Sequence, residues 1–303
     1  MAKRAAPNTP QNRADGVLAV NKPRGPTSFD IVRLVRKLTG VRKVGHAGTL
    51  DPMAAGLLLV CLGEGTKAVP WLMDAPKRYL ATVTLGRTTD SYDAAGNTVA
   101  EGEVGKFDEV HLESLLDRFR GTFSQVPPAH SALKRGGKRL YALARAGREV
   151  NPIAREVVVY SLELVGLALP EIELEVCCGR GFYVRSLAHD LGLALGCGGH
   201  LAALCRTESA GLRLDQAITP DVLERGEVPW RERLIDVNQA LGSLPAVNLS
   251  VEETLAVRHG RMIPGESAPR GCALRLLGPK GELVAVAERQ EGGNDLKVLR
   301  GFN

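Results

Sequence analysis

The segment Gly45-His46-Ala47-Gly48-Thr49-Leu50-Asp51-Pro52 holds one carboxylate in a loop flanked by glycine and stopped by proline. The apolar run from Leu57 to Leu62 follows so closely that this loop must sit against a core. Gly48 and Gly56 allow close backbone approach, Pro52 fixes the chain path after Asp51, and His46 falls in the same short loop. An Asp-Pro pair on its own is a turn signal. In this setting the loop presents a single reactive side chain.

The elements that must position it follow from periodicity. Gly16 to Asn21 reads as a short buried strand, and Lys22-Pro23-Arg24-Gly25-Pro26 as a rigid turn that cannot be helical. A helix follows, capped by Thr27 or Ser28, with Ile31, Leu34, Val35 and Leu38 at helical spacing and Gly40 as its stop. Strands are expected at Leu57 to Leu62 and Tyr79 to Leu85, and a helix from Asp108 to Arg120. Glu156 to Leu169 and Ile172 to Cys178 read as paired strands, and Gly181-Phe182-Tyr183-Val184-Arg185 leads into a helix rich in Leu and Ala. The non-alternating order of elements favours an α+β fold, a mixed sheet with flanking helices, over a doubly wound one. Near residues 241–248 the texture changes. Ser250 and Glu253 form a capping box for a short helix ending at Gly260, and Cys272 to Leu277 with Leu283 to Glu288 flank a Gly278-Pro279-Lys280-Gly281 hairpin, with a further strand at Leu296 to Leu299. The expected organisation is a disordered tail over 1–15, a main domain over 16–245 and a small β-rich domain over 246–303.

With 303 residues, 44% of them hydrophobic, the chain can bury a real core. No 18-residue apolar stretch and no signal-type apolar region occur, so neither a membrane span nor secretion is expected. The six cysteines lack C-x-x-C or zinc-type spacing and read as reduced thiols of a cytoplasmic protein. The net charge of +5 is unevenly spread: residues 1–45 carry +8, residues 125–155 carry +6, and the remainder −9. Positive charge concentrated in two segments of an otherwise acidic chain is the footprint of a polyanion site. Gly63-Glu64-Gly65-Thr66-Lys67 lacks the spacing of a phosphate-cradling loop, which argues against a nucleotide hydrolase.

The run from Gly45 to Leu58 resembles the signature of bacterial tRNA pseudouridine-55 synthases. Other stretches match that family in the same order: Lys22-Pro23-Arg24-Gly25-Pro26-Thr27-Ser28, Lys77-Arg78-Tyr79, the loop from Gly86 to Gly96 with Thr89, Asp90 and Asp93, and Gln125 to Lys134 with Gly137, Lys138 and Tyr141. Gly181 to Arg185, Gly196 to Leu201 and Leu204 to Thr207 continue the series, and residues from about 250 onward look like the family's PUA-like RNA-binding barrel. Two departures are local. Ala129-His130 stands where the family usually carries Met and an aromatic, and Cys205-Arg206 where it usually has Arg-Arg, which removes one phosphate contact.

The resemblance implies a mainly antiparallel catalytic sheet with flanking helices and a PUA-like barrel. It implies an isomerase that converts the uridine at position 55 of the tRNA T loop to pseudouridine, without metal or other cofactor. That reaction breaks a glycosidic C–N bond, turns the base and rejoins it through carbon. Asp51 would be the nucleophile, with the ribose C1′ or the base C6 open to attack. An attacking carboxylate must be ionised, and a fixed cation favours that form, a role the resemblance gives to Arg185. A flipped base needs an aromatic platform, here Tyr79 and Tyr183, with Leu204 closing the apolar wall. His46 would contact RNA around the flipped nucleotide, Lys22 would support the nucleophile loop or a phosphate, and Asp90 would order the loop beside the pocket. Lys134, Arg135, Lys138 and Arg139, in an insertion spanning about 125–152, would track tRNA phosphates. A monomer without an obligatory protein partner is expected. The alternative, a non-catalytic RNA-binding or RNA-folding protein, would not need Asp51.

Overall fold

The computed structural model describes residues 14–129, 152–290 and 292–302, and the backbone alone of 134–135 and 138–139. The expected disordered tail lies outside the described residues up to position 13. The chain forms two compact units: one comprises Met1–Asp51, Gly56–Ala75 and Ser209–Asn303, the other Pro52–Ala55 and Pro76–Glu208.

In the first unit, β1 (Gly16–Lys22) is buried at six of its seven positions. It pairs antiparallel along its whole length with β3 (Ala55–Leu62), from Gly16 opposite Leu62 to Lys22 opposite Gly56. Both strands are apolar without alternation because both of their faces are covered. Between them in sequence come α1 (Ser28–Thr39) and β2 (Val44–Ala47), a strand the periodicity did not announce, which pairs antiparallel with β3. Thr27 caps α1 in a reciprocal box with Asp30, and Gly40 closes it in the left-handed conformation at φ 69°. The bonds from the Thr27 hydroxyl and backbone N–H, with Arg33 beside them, hold the Asp30 carboxyl down at about 2. Ile31, Val32 and Val35 form the buried stripe of α1, while Leu34 and Leu38 are only half-buried.

The C-terminal segment belongs to this same unit. Its sheet runs in the order Ala246–Asn248, Ala273–Leu277, Leu283–Arg289, Asp295–Gly301 and Ile263–Pro264, antiparallel except for the first pair. The sheet encloses its own core of Leu249, Val257, Leu274, Leu276, Val284 and Leu296. Val286 and Phe302 face elsewhere, packing into the cluster built on Val17, Leu57, Leu59 and Leu72. Lys67 reinforces that junction by donating to the Gly301 carbonyl at 2.9 Å. The Ser250–Glu253 capping box and the hairpin between Leu277 and Leu283 form as read from the sequence.

The second unit is a mainly antiparallel sheet ordered Gly199–Ser209, Lys77–Leu85, Glu171–Cys178, Arg155–Ala168 and Gly121–Gln125. Glu109–Leu116, capped by Asp108, and Val184–Ala194 are its described α-helices. The expected helix from Asp108 to Arg120 ends early because the chain tightens into a 3₁₀ turn over Asp117–Phe119. The strand Gly199–Ser209 and the edge strand Gly121–Gln125 were not read from periodicity. Among the described residues the six cysteines are free, and burial pushes the thiols of Cys61 and Cys178 up to about 12.

The β1–β3 pairing lies in the buried interior. Leu58 is fully buried opposite Val20, so Leu58→Ala should cost about 2–5 kcal/mol, read as a lowered denaturant midpoint at unchanged m-value.

Candidate active site

The loop that carries Asp51 is the connection of the β2–β3 hairpin, residues 48–54, and Asp51 stands in it half-buried. Gly48 at φ 94° and Gly56 at φ 102° occupy backbone conformations that L side chains rarely adopt, so the loop's path depends on glycine at both positions. Leu50, beside Asp51, is locked by a residue 22 positions away. The Ser28 hydroxyl donates to the Leu50 carbonyl at 2.9 Å and accepts the Leu50 N–H at 2.8 Å. Because Thr27 supplies the cap of α1, Ser28 is released for this second task; the sequence allowed either residue as cap and carried no signal of the bond to Leu50. His46 stands on β2 opposite Val60 and is half-buried.

Lys22 is fully buried at the end of β1, and its ammonium donates to the carbonyls of Pro23 at 2.9 Å and Pro26 at 2.8 Å. A buried cation must be met by hydrogen-bond acceptors, and here it straps the proline turn that delivers the chain to α1. The bonds that Lys22 makes to Pro23 and Pro26 belong to the turn before α1, and its side chain is fully buried.

In the second unit, Arg185 lies in the first turn of the helix Val184–Ala194 and is 6% exposed. Its Nη1 donates to the Ser91 carbonyl at 3.2 Å and pairs with Asp93 Oδ2 at 3.4 Å. Asp93 is also buried, and its other oxygen accepts from the Ser91 hydroxyl at 2.6 Å and the Ala95 N–H at 3.0 Å. Asp90, the residue singled out in the sequence, is exposed, and its carboxylate accepts the Asn97 N–H at 2.9 Å and side-chain amide at 3.1 Å. Asp93, which the motif contains but to which the sequence assigned no role, is thus a carboxylate that pairs with Arg185.

Tyr183 precedes the helix, and its backbone is clamped by the buried Gln125 side chain, which accepts its N–H at 2.9 Å and donates to its carbonyl at 3.1 Å. Ser186 adds a bond from its hydroxyl to the Val126 carbonyl at 2.7 Å. Tyr79 lies on Lys77–Leu85 opposite Val176, half-buried, and Leu204 is buried on Gly199–Ser209. Cys205 is half-buried on that strand and the Arg206 side chain is fully enclosed. In the basic segment the backbones of Lys134–Arg135 and Lys138–Arg139 pair antiparallel; their side chains, and His130, lie outside the described residues.

The Ser28–Leu50 bonds generate a direct test. Ser28→Ala leaves a buried N–H and C=O without their partner, at a cost of about 1–3 kcal/mol. Hydrogen exchange at the Leu50 amide should accelerate in that variant while the amides of α1, whose cap is Thr27, keep their protection.

Comparison with known proteins gives the family. Residues 36–184 match the TruB family pseudouridylate synthase (N terminal domain), and residues 185–255 match the tRNA pseudouridylate synthase B C-terminal domain. The chain is 41% identical over 307 residues to the tRNA pseudouridine synthase B of Geobacter sulfurreducens, covering 95% of this chain and all of that one. Its counterpart of the same name in Ralstonia nicotianae is 41% identical over 293 residues, covering 93% of each. Among solved structures, one titled as a crystal structure of a Cbf5-Nop10-Gar1 complex superposes with a TM-score of 0.75 at 28% identity, covering 95% of this chain and 85% of that one. The chain therefore belongs to the TruB family of pseudouridylate synthases, catalysts that isomerise uridine to pseudouridine.

Proposed function

We propose that the substrate is tRNA and the target the uridine at position 55 of its T loop, with Asp51 as the nucleophile. The single observation that carries this reading is the hairpin loop that displays Asp51 beside a backbone anchored at both polar groups of Leu50 by Ser28. The names of the relatives, tRNA pseudouridine synthase B, support the choice of RNA. In the reaction the N1–C1′ bond breaks, the base turns, C5 bonds to C1′, C5 gives up its proton, and N1 is protonated. Every heavy atom of the substrate stays in the product.

Arg185 supplies a fixed positive charge whose orientation is set by the Ser91 carbonyl and the Asp93 carboxylate. Its fork of donors holds one geometry that an ammonium cannot reproduce. Tyr79 and Tyr183 stack on the flipped base, Leu204 closes the apolar wall, and His46 contacts the RNA around it. Lys134, Arg135, Lys138 and Arg139 follow the phosphates of the T arm. The C-terminal sheet, PUA-like in fold, adds a second RNA-binding surface. We also propose that the chain works as a monomer in the cytoplasm, where its substrate is; among the described residues no helix is long and apolar enough to cross a membrane.

Two experiments test this reading. Asp51→Asn should abolish pseudouridine formation at position 55 while tRNA binding survives, since the amide is nearly isosteric but a poor nucleophile; turnover within about tenfold of wild type would overturn the assignment. Replacing Lys134, Arg135, Lys138 and Arg139 together by Ala should weaken tRNA binding and flatten the plot of log affinity against log salt, by about 0.7–0.9 for each phosphate no longer neutralised. An unchanged slope would remove these four residues from the RNA interface.

A further inference from the structure

Among the described residues, Tyr92 and Ala210 are the non-glycine positions with left-handed backbone, and Tyr92 has φ 63°. A tyrosine adopts that conformation at an energetic cost, so something must hold it there. In an extended chain, successive residues point to opposite sides. The turn at residue 92 instead lets three consecutive residues reach one helix, Val184–Ala194. The Ser91 carbonyl accepts from Arg185, the Asp93 carboxylate pairs with Arg185, and the Tyr92 ring lies flat on His189, with centroids 3.8 Å apart and planes 7° from parallel. Arg185 and His189 are four residues apart, one turn along the same helix face.

The loop is tied down elsewhere as well. The Tyr92 N–H donates to the Thr89 carbonyl at 3.2 Å, the Leu201 N–H to the Tyr92 carbonyl at 3.0 Å, and the Ala94 N–H to the Leu201 carbonyl at 2.9 Å. The bonds with Leu201 fix the loop to the strand Gly199–Ser209. The stack is its aromatic tie to the helix. His189 Nδ1 is buried with no hydrogen-bond partner among the described residues, and burial lowers the imidazole pKa, which favours the uncharged ring.

We propose that Tyr92 and His189 are a positioning pair for the reaction: their stack holds the 91–93 loop on the helix so that Arg185 is presented in one orientation to the reacting nucleotide. The inference rests on the role given to Arg185 in the proposed function. Neither Tyr92 nor His189 touches the substrate in this account, so their loss should appear in the chemical step and not in binding.

Tyr92→Gly is the decisive variant, because glycine accepts φ 63° without strain while the ring is lost. Single-turnover pseudouridine formation at saturating enzyme should slow by about tenfold or more, with tRNA affinity and thermal midpoint unchanged, since small misplacements of a positioning group are costly. Tyr92→Phe, which keeps the ring, should recover most of that rate. His189→Ala should slow the reaction similarly, and the double variant Tyr92→Gly/His189→Ala should be no slower than either single change. A Tyr92→Gly enzyme at the wild-type rate, a Tyr92→Phe enzyme as slow as Tyr92→Gly, or fully additive losses would each overturn the pair. Arg185→Lys in the same assay separates the two levels of argument. If it is slow while Tyr92→Gly is at wild-type rate, only the stack fails; if Arg185→Lys itself runs at wild-type rate, the role of Arg185 fails.

Discussion

The Ser28 hydroxyl, bonded at once to the N–H and the carbonyl of Leu50, is the constraint on which the Asp51 loop depends. A loop that keeps its carboxylate available cannot rely on that carboxylate alone to hold itself in place without consuming it. The alternative is to anchor the backbone next door, and a buried hydroxyl does this with one donor and one acceptor. The arrangement works only if Ser28 is immobile. That is why the elements around it are so heavily specified: a capping box at Thr27 and Asp30, a fully buried Lys22 strapping the turn before α1, and a β1 strand zipped along its whole length to β3. The β3 strand in turn begins where the loop ends, so one strand pair fixes both the anchor and the anchored segment.

The second unit solves a related problem with the same kind of part. Gln125 grips the backbone of Tyr183 at both its N–H and its carbonyl, so the residue is placed through its main chain. Two residues on, Arg185 is held by side-chain charge because a buried guanidinium has to be compensated. Breaking such a pair from one side leaves an unsatisfied buried charge, at a cost of about 3–5 kcal/mol, which far exceeds what an exposed pair contributes. The many surface pairs, such as Arg213 with Asp215, carry no comparable constraint. The buried polar contacts that place Leu50, Tyr183 and Arg185 thus join residues far apart in sequence.

That distribution explains what could be read from the chain and what could not. Local signals were legible: the cap of α1, the glycine stop at Gly40, the Ser250 box, the Gly-Pro-Lys-Gly hairpin and the paired strands before Cys178 are all decided by near neighbours. The motif order pointed to the family and to the carboxylate at position 51. What escaped was non-local. The strand Val44–Ala47 has too few residues for a period to show, and Gly199–Ser209 mixes buried and half-buried positions without clean alternation. The choice between Asp90 and Asp93 turns on which carboxylate faces the helix at Arg185, and a left-handed turn at Tyr92 lies between the two. Propensity would not place a left-handed residue there, because tyrosine disfavours it. Gln125 and Ser28 look like ordinary polar residues until their partners, 58 and 22 positions away, are brought beside them.

A consequence follows for how such a site can change. Leu50 and Tyr183 are held through their backbones by the side chains of other residues, so the bonds that anchor Leu50 to Ser28 involve no atom of the side chain at position 51. The anchors carry the opposite burden: Ser28, Gln125 and Asp93 do no chemistry in this account, yet each is buried and each makes at least two polar contacts. A substitution at an anchor must satisfy two buried partners at once, whereas the Ser28–Leu50 bonds survive a near-isosteric change of the carboxylate. Stability and chemistry are thus written largely into different residues of the same few segments, and a change in one need not register in the other.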